Sequence, residues 1–289
     1  MFRRRKLSAT SVPCLLAALA VTVLAGCSPG QNAGQSAAER AGATGSAAAA
    51  AAPAADQCAL PGRPSRHRIK HIVDGDTFVL DGGDRVRIIG INTPELNQGG
   101  RPEPLAGQAR TALERLLRPG DPVDLIAGAE ARDRHGRLLA HAFTSDGRNV
   151  AVALLGQGLA FAITVPPNLA NATCYGRLDA ASRAGRRGVY GEAYFDAVPA
   201  TALRGGGGSF RRVTGRVARA SSGRHGVWID LEGGLTVKVD TPDVDNFPRG
   251  FFDRLDGRSV EARGWIYSTD KGLRIKAHHP VELALVPGP

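Results

Sequence analysis

Val73-Asp-Gly-Asp-Thr77 places a tight turn between two short runs of alternating or apolar residues, and Gly82-Gly83 separates the second run from a third. The three runs are Arg68–Val73, Thr77–Leu80 and Arg85–Ile91. Asp-Gly and Gly-Gly supply the backbone conformations that hairpin turns require. This stretch therefore predicts three antiparallel strands of one small sheet.

Beyond these strands the sequence alternates between helical and strand patterns. Helices are expected at Ala106–Leu117, which Arg118-Pro119-Gly120 ends, at Asn149–Gly156 and between Asn171 and Arg187. Two further strands are expected at Pro122–Ala127 and Arg137–Phe143. Five short strands with interposed helices predict a mainly β fold with helices (α+β), built on a small closed barrel.

A second module follows the glycine-rich stretch Arg204-Gly-Gly-Gly-Gly-Ser209, which we interpret as a flexible linker. Strands are expected at Arg212–Ala220, Val227–Glu232, Leu235–Val239, Ser259–Tyr267 and Leu273–Leu285, with a short helix at Phe251–Leu255. Five strands with a helix between the third and fourth match the order of an OB-type barrel. The second module is therefore expected to be an OB-like β-barrel domain.

The N-terminus has the pattern of an export signal. Four basic residues, Arg3 to Lys6, precede an apolar stretch from Val12 to Leu24 and the sequence Leu24-Ala-Gly-Cys27. This resembles a bacterial lipoprotein signal, in which Cys27 becomes the lipidated first residue; an ordinary signal peptide or a short anchor helix is the alternative. The expected organisation is a signal at 1–26, an Ala/Gly/Pro-rich tether at 27–57, a domain at 58–200, a linker at 201–209 and a domain at 210–289.

Two of the four cysteines, Cys58 and Cys174, lie in the expected mature domain. In an exported protein they most simply form a disulfide, and a catalytic thiol is the weaker alternative. The formal charge of +10 falls to +6 when a signal with four basic and no acidic residues is removed. A basic protein favours a polyanionic partner such as nucleic acid, although anionic lipid headgroups are also compatible.

Asp74 and Asp76 flank Gly75 at the junction of two expected strands, where a sharp turn brings carboxylates to the barrel mouth. Alone, this tetrapeptide is common in plain turns. Arg87 and Glu95 on the neighbouring segment, with Arg137 after a second turn, complete a set able to hold a hard cation against a phosphate.

The sequence from Arg66 to Tyr194 resembles the staphylococcal-type nuclease (thermonuclease) family. The matching pieces are Val73-Asp-Gly-Asp-Thr77, Arg87-Ile-Ile-Gly-Ile-Asn-Thr-Pro-Glu95, Asp133-Arg-His-Gly-Arg137 and Leu155-Gly-Gln-Gly-Leu-Ala160. The resemblance implies a five-stranded OB-type barrel with three helices that hydrolyses DNA and RNA with one calcium ion.

The resemblance also implies roles for individual residues. Asp76 and the carbonyl of Thr93 would be calcium ligands, and Asn92 would stand in the place of a second ligating aspartate. Asp74 would contact these ligands and not the ion itself. Glu95 would position or deprotonate the attacking water, and Arg87 and Arg137 would grip the phosphate. Arg134 and His135, in the turn before Arg137, are candidate substrate-binding residues, and an exposed histidine without a role is the alternative for His135.

The sequence departs from the family pattern at two places. Asn92 ligates through an amide oxygen and removes one negative charge, so weaker calcium binding is expected. The stretch Phe161-Ala-Ile-Thr-Val-Pro-Pro167 lacks the tyrosines on which the family packs nucleotide bases. Trp228 and Trp265 of the second module stand among arginines; we favour core positions for both, with a single-strand binding face as the alternative.

Together these features predict a calcium-dependent endonuclease, tethered in the cell envelope through lipidated Cys27, at the outer membrane or periplasm if the cell has two membranes. A catalytically weak or inactive nucleic-acid-binding scaffold of the same fold is the alternative, and an envelope protein that meets lipid or glycan is a third. The sequence points to DNA or RNA as the substrate and to no obligate protein partner.

Overall fold

The structure is a computed structural model that describes residues 58–205 and 207–287. The signal, the tether and the lipidation site predicted at residues 1–57 lie outside the described residues. Within the described part of the chain, no helix is long and apolar enough to cross a membrane.

The first domain is a closed five-stranded barrel, as predicted. Its strands pair in the order β1-β2-β3-β6-β5 and back to β1, and β3 with β6 is the one parallel pair of that ring. A separate two-stranded sheet joins β4 to β7. The elements are β1 (Ser65–Ile72), β2 (Thr77–Leu80), β3 (Arg85–Ile88), β4 (Ile91–Asn92), α1 (Ala106–Leu116), β5 (Pro122–Arg132), β6 (Leu138–Thr144), α2 (Val150–Gly156), β7 (Phe161–Ala162) and α3 (Ala172–Ala184).

The core of this barrel follows from the apolar pattern of its strands and helices. All four residues of β2 are buried, and Phe78 is completely enclosed. Leu113 of α1 and Leu154 and Leu155 of α2 belong to the same buried cluster as the strand residues. The predicted disulfide between Cys58 and Cys174 is present. Because it bridges 116 residues of chain, it is expected to stabilise the fold by about 4–5 kcal/mol.

The second domain is also built of β-strands. Its elements are β8 (Val198–Pro199), β9 (Phe210–Gly223), β10 (Gly226–Leu231), β11 (Leu235–Val239), β12 (Ser259–Trp265), β13 (Tyr267–Thr269), β14 (Gly272–Lys276) and β15 (Leu283–Leu285). β9 pairs with β10 and β12, β10 with β11, and β11 in parallel with β14. These pairings repeat the order of the first barrel, while the sheet path runs from β13 to β15 without returning to its start.

Two details of the second domain differ from the prediction. The expected strand Leu273–Leu285 is divided into β14 and β15, with Pro280 in the turn between them. The expected helix at Phe251–Leu255 is a turn, and a 3₁₀ helix occupies Thr241–Asn246 instead, with Pro242 in its first turn. The rings of Phe251 and Phe252 pack on each other and on Phe247 in a local cluster, which needs no helical backbone.

The two domains contact each other through buried charges. Arg263 of β12 donates 2.7 Å hydrogen bonds to Asp179 of α3 and to the hydroxyl of Tyr190. Although burial disfavours its charge, the nearby Asp179 carboxylate raises the pKa of Arg263 above its ordinary value. Glu261 accepts hydrogen bonds from Arg212 at 3.0 Å and from Arg183 of α3. The outer face of β12 is thus fixed against the first domain.

Candidate active site

The turn between β1 and β2 brings Asp76 against the segment after β4. A Cβ on Gly75 would lie 2.7 Å from the Cβ of Ala109 and 2.8 Å from Oγ1 of Thr93, so only glycine allows this approach. Oδ2 of Asp76, which is 5% exposed, accepts hydrogen bonds from the backbone N–H of Thr93 at 2.9 Å and from its hydroxyl at 3.0 Å.

Arg87 contacts two of the residues predicted to bind the metal. Its Nε lies 3.1 Å from Oδ1 of Asp76, and its Nη2 donates a 3.1 Å hydrogen bond to Oδ1 of Asn92. Its Nη1 donates to the carbonyls of Ile88 and Ile91 at 2.6 and 2.8 Å. Four polar contacts thus hold the guanidinium rigidly beside two predicted oxygen ligands, Asp76 and Asn92.

Three carboxylates concentrate negative charge at this end of the barrel. Oδ1 of Asp74 accepts a 3.0 Å hydrogen bond from the backbone N–H of Asp76. Burial and the neighbouring charge of Asp76 raise the pKa of Asp74 to about 6. Burial of its carboxylate, with the charges of Asp76 and Asp74, also raises the pKa of Glu95. Arg87 alone therefore does not offset the negative charge of the site.

Arg137 follows a turn that Asp133 holds together. Oδ1 of Asp133 accepts from the backbone N–H groups of His135 and Arg137, and Oδ2 accepts from Nε of Arg137 at 2.7 Å. Burial alone would raise the pKa of Asp133, but these hydrogen bonds hold it below its ordinary value. Nε of Arg134 donates a 3.1 Å hydrogen bond to Nε2 of His135. The turn thus presents cationic and donor groups on a fixed backbone.

A cavity of about 610 Å³ brings most of the predicted site residues together. Its lining includes Arg87, Asn92, Glu95, Arg134, His135 and Arg137. Thr93 lies on a smaller adjoining cavity that also contains Asn92 and Glu95, and Asp76 is connected to both through Thr93 and Arg87. Asp74 touches this set through the backbone of Asp76. Residues distant in sequence therefore converge on one cleft.

Trp265 of the second domain also lines both cavities, and it is 42% exposed. The expectation that Trp265 lies in a barrel core is therefore wrong. Glu261, Arg263 and Trp265 alternate along β12, so they share its outer face, which lies against the first domain. Trp228 is half-buried between Lys238 and Arg274, with its ring 4.8 and 4.9 Å from their charged groups, and is likewise outside the core.

Comparison with known proteins identifies the first barrel. The family model described as "Staphylococcal nuclease homologue" matches residues 85–192. The first barrel is a staphylococcal nuclease family domain. The matched range contains Arg87, Asn92, Thr93, Glu95 and Arg137, and the Asp74–Asp76 turn lies just before it.

Two relatives of the nuclease domain carry names that describe nucleases. "Thermonuclease" of Staphylococcus intermedius is 35% identical over 109 residues, which is 37% of this chain and 64% of that protein. "Endonuclease YhcR" of Bacillus subtilis (strain 168) is 31% identical over 102 residues, which is 32% of this chain and 8% of that protein. The chain thus spans less than two thirds of either relative.

The donor set of the nuclease domain fits a hard cation by its chemistry. Among residues 58–205 and 207–287, no cluster of three His, Cys, Asp or Glu side chains is arranged to hold a metal. The predicted set instead combines the carboxylate of Asp76, the amide oxygen of Asn92 and the carbonyl of Thr93, all of which are oxygen donors that calcium accepts. Burial, together with the negative charge of neighbouring carboxylates, raises the pKa of Asp74 and of Glu95, and a cation bound nearby would favour their charged forms.

Asp76 is already fully engaged by protein donors. Oδ2 receives the two hydrogen bonds from Thr93, while Oδ1 receives a 3.1 Å hydrogen bond from Thr77 and faces Nε of Arg87. A carboxylate offers about four lone-pair positions, and four donors occupy them here. A cation that binds Asp76 must therefore displace at least one of these donors.

Proposed function

We propose that the protein is a calcium-dependent phosphodiesterase that cleaves DNA, and RNA as a second substrate, as an endonuclease of the cell envelope. The observation that carries the proposal is the cleft in which Arg87, Glu95 and Arg137 meet beside Asp76, Asn92 and Thr93. The names of the two relatives support the same class of reaction.

Each cleft residue has a chemical task in this proposal. A phosphodiester is anionic and gains negative charge on its phosphoryl oxygens as it is attacked, so the guanidinium groups of Arg87 and Arg137 bind and stabilise it. Glu95 orients the attacking water and accepts its proton, and burial raises the pKa of its carboxyl, which makes the carboxylate a stronger base. Asp76, Asn92 and Thr93 would hold calcium, which adds positive charge for the transition state.

Cleavage of supercoiled plasmid and of RNA by the purified protein tests the proposal. Calcium is expected to support nicking, which marks an endonuclease, and an excess of chelator is expected to stop it. The Arg87→Ala/Glu95→Ala double variant is expected to lose cleavage. The matched control is Arg110→Ala/Glu114→Ala, which removes an exposed ion pair from α1 outside the cleft. Full activity in excess chelator would contradict the metal role, and full activity of the first double variant would contradict the assigned site.

The location in the envelope rests on the N-terminal sequence alone. We propose that the lipid anchor is at Cys27, which follows Leu24-Ala-Gly, and that the protein lies at the outer membrane or in the periplasm if the cell has two membranes. A Cys27→Ala variant is expected to leave the membrane fraction and to lose incorporation of a labelled fatty acid. Membrane fractionation that is unchanged by this substitution would refute the anchor.

A catalytically weak or inactive nucleic-acid-binding scaffold is the second candidate. It is favoured by the engagement of both oxygens of Asp76 and by the neutral amide of Asn92, which together oppose strong metal binding. Retardation of DNA in a gel without cleavage, from micromolar to millimolar calcium, would select this candidate over the enzyme.

A further inference from the structure

The nuclease cleft carries proposed phosphate-binding groups, but none of the described residues of its own domain contributes a large aromatic ring to the larger cavity. Among the described residues that line it, the stretch 161–167 supplies Ile163 and Val165. Apart from the imidazole of His135, the aromatic side chain on its wall is Trp265, which comes from the second domain. Nearly half of the surface of this indole is exposed. Its apolar face would gain free energy from being covered, so it offers a favourable surface for a ligand.

Trp265 is held in place by a series of packed rings. Phe210 faces it across the β9–β12 ladder, with ring centroids 5.2 Å apart at 71°. Phe210 lies 5.3 Å from Phe161, which pairs with Asn92 between β7 and β4. The indole is therefore connected through two phenyl rings to the strand that carries a predicted metal ligand.

Backbone hydrogen bonds and an ion pair between the two domains also hold the strand that carries Trp265. Just beyond the Trp265 end of the ladder, Ile266 donates to the carbonyl of Ser209 at 2.9 Å and Gly208 donates to the carbonyl of Ile266 at 2.7 Å. Two residues before Trp265, Arg263 is 7% exposed and anchored to Asp179 of the nuclease domain. Because both sides of the strand are held, the indole needs little ordering when a ligand binds.

We propose that Trp265 is the base-stacking platform of the nuclease cleft and that it favours single-stranded nucleic acid. This proposal rests on the nuclease function proposed above. A strand whose phosphate is bound by Arg87 and Arg137 would place a neighbouring base over the indole in the same cavity. The base must present a free face, and in a duplex both faces are covered by adjacent base pairs. A platform contributed by the second domain also gives that domain a task in substrate binding.

Tryptophan fluorescence tests the contact directly, because the chain has two tryptophans. In Trp228→Phe the emission comes from Trp265 alone, and in Trp265→Phe it comes from Trp228 alone. Both proteins are titrated with a single-stranded oligonucleotide in chelator, so that no cleavage occurs. We expect saturable quenching in Trp228→Phe, weaker quenching with the matching duplex and little change in Trp265→Phe. Absence of quenching in Trp228→Phe, or equal quenching in the two variants, would overturn the proposal.

Kinetics on the same oligonucleotide provide the second test. Loss of a base–aromatic stack is expected to raise the KM of Trp265→Ala by about 5- to 150-fold. Because the phosphate-binding groups are untouched, kcat is expected to change less than about twofold. Trp265→Phe keeps a ring and is expected to recover much of the lost affinity. An unchanged KM in Trp265→Ala, or equal losses on single-stranded and duplex substrates, would contradict the stacking role.

The two proposals fail in different ways. If the wild-type protein cleaves nothing but Trp228→Phe is quenched by the oligonucleotide, the nuclease function is wrong and the stacking site stands. If the wild type cleaves normally but neither fluorescence nor KM responds at Trp265, the stacking site is wrong and the nuclease function stands. Quenching of Trp228→Phe by phosphatidylglycerol vesicles, without a response to the oligonucleotide, would assign this face to the membrane and overturn the proposal.

Discussion

Oδ1 of Asn92 accepts a 3.1 Å hydrogen bond from Nη2 of Arg87, so the amide that we propose to take the place of a ligating aspartate contacts a proposed phosphate-binding arginine. Among the residues that the structure describes, the guanidinium then has only Asp76 as a charged partner within 4 Å. A carboxylate at position 92 would attract both Arg87 and a cation. We therefore expect the identity of this one residue to affect both metal binding and the availability of Arg87.

We expect Asn92→Asp to lower the calcium concentration for half-maximal cleavage by about tenfold, because calcium affinity rises with the number of charged ligands. The matched control is Asn97→Asp, which adds the same charge at an exposed position of the neighbouring loop. Calcium titrations of the cleavage rate measure both variants. A shift of equal size in the control would mean that general charge, and not ligation, is responsible.

We expect Glu95→Gln to lower kcat by about 10²- to 10⁴-fold with a smaller change in KM, because glutamine keeps the shape but cannot accept the proton of water. Glu114→Gln, at an exposed carboxylate of α1, is the control and should behave as the wild type. Steady-state rates on one oligonucleotide separate kcat from KM. A Glu95→Gln enzyme of near-normal kcat would remove the carboxylate from the proposed chemistry.

The calcium requirement should rise as pH falls through about 6, because burial and Asp76 raise the pKa of Asp74 to about 6 and protons then compete with the cation. In metal-free protein the folding stability changes with pH in the opposite direction from calcium binding, because it falls as pH rises. A raised pKa in the folded state gives stability that is complete below the unfolded value near 3.8 and is lost as pH rises through about 6. In Asp74→Asn this loss should disappear, so thermal unfolding of the two proteins from pH 4 to pH 7 should diverge. Parallel curves would exclude Asp74 as the titrating group.

Asp179→Ala should reduce the free energy of unfolding by about 3–5 kcal/mol, because it leaves the buried guanidinium of Arg263 without its charged partner. Asp124→Ala breaks an ion pair in which Arg66 is 65% exposed, and it should cost about 1 kcal/mol or less. Denaturant unfolding of the three proteins measures the difference. Similar midpoints for the two variants would show that the buried pair contributes no more than a surface pair.

Local turn signals made most of the nuclease domain predictable. Asp-Gly and Gly-Gly turns set the first three strands, and the Asp133–Gly136 turn set the position of Arg137. The side of the strand that Trp265 occupies was not predictable from alternation in β12 alone. Glu261 and Arg263 are buried on its outer face because α3 supplies their partners, so both faces of the strand exclude water. A sequence pattern shows alternation, but it does not show which other element covers a face.

The burial of Arg263 against Asp179 also bears on how autonomous each domain is. A chain ended near residue 200 would keep Asp179 and Tyr190 but lose the guanidinium that both contact. It would also expose the surface of Phe161 that Phe210 covers. An attempt to shorten this protein to its family domain would therefore remove side chains that pack against buried residues of that domain.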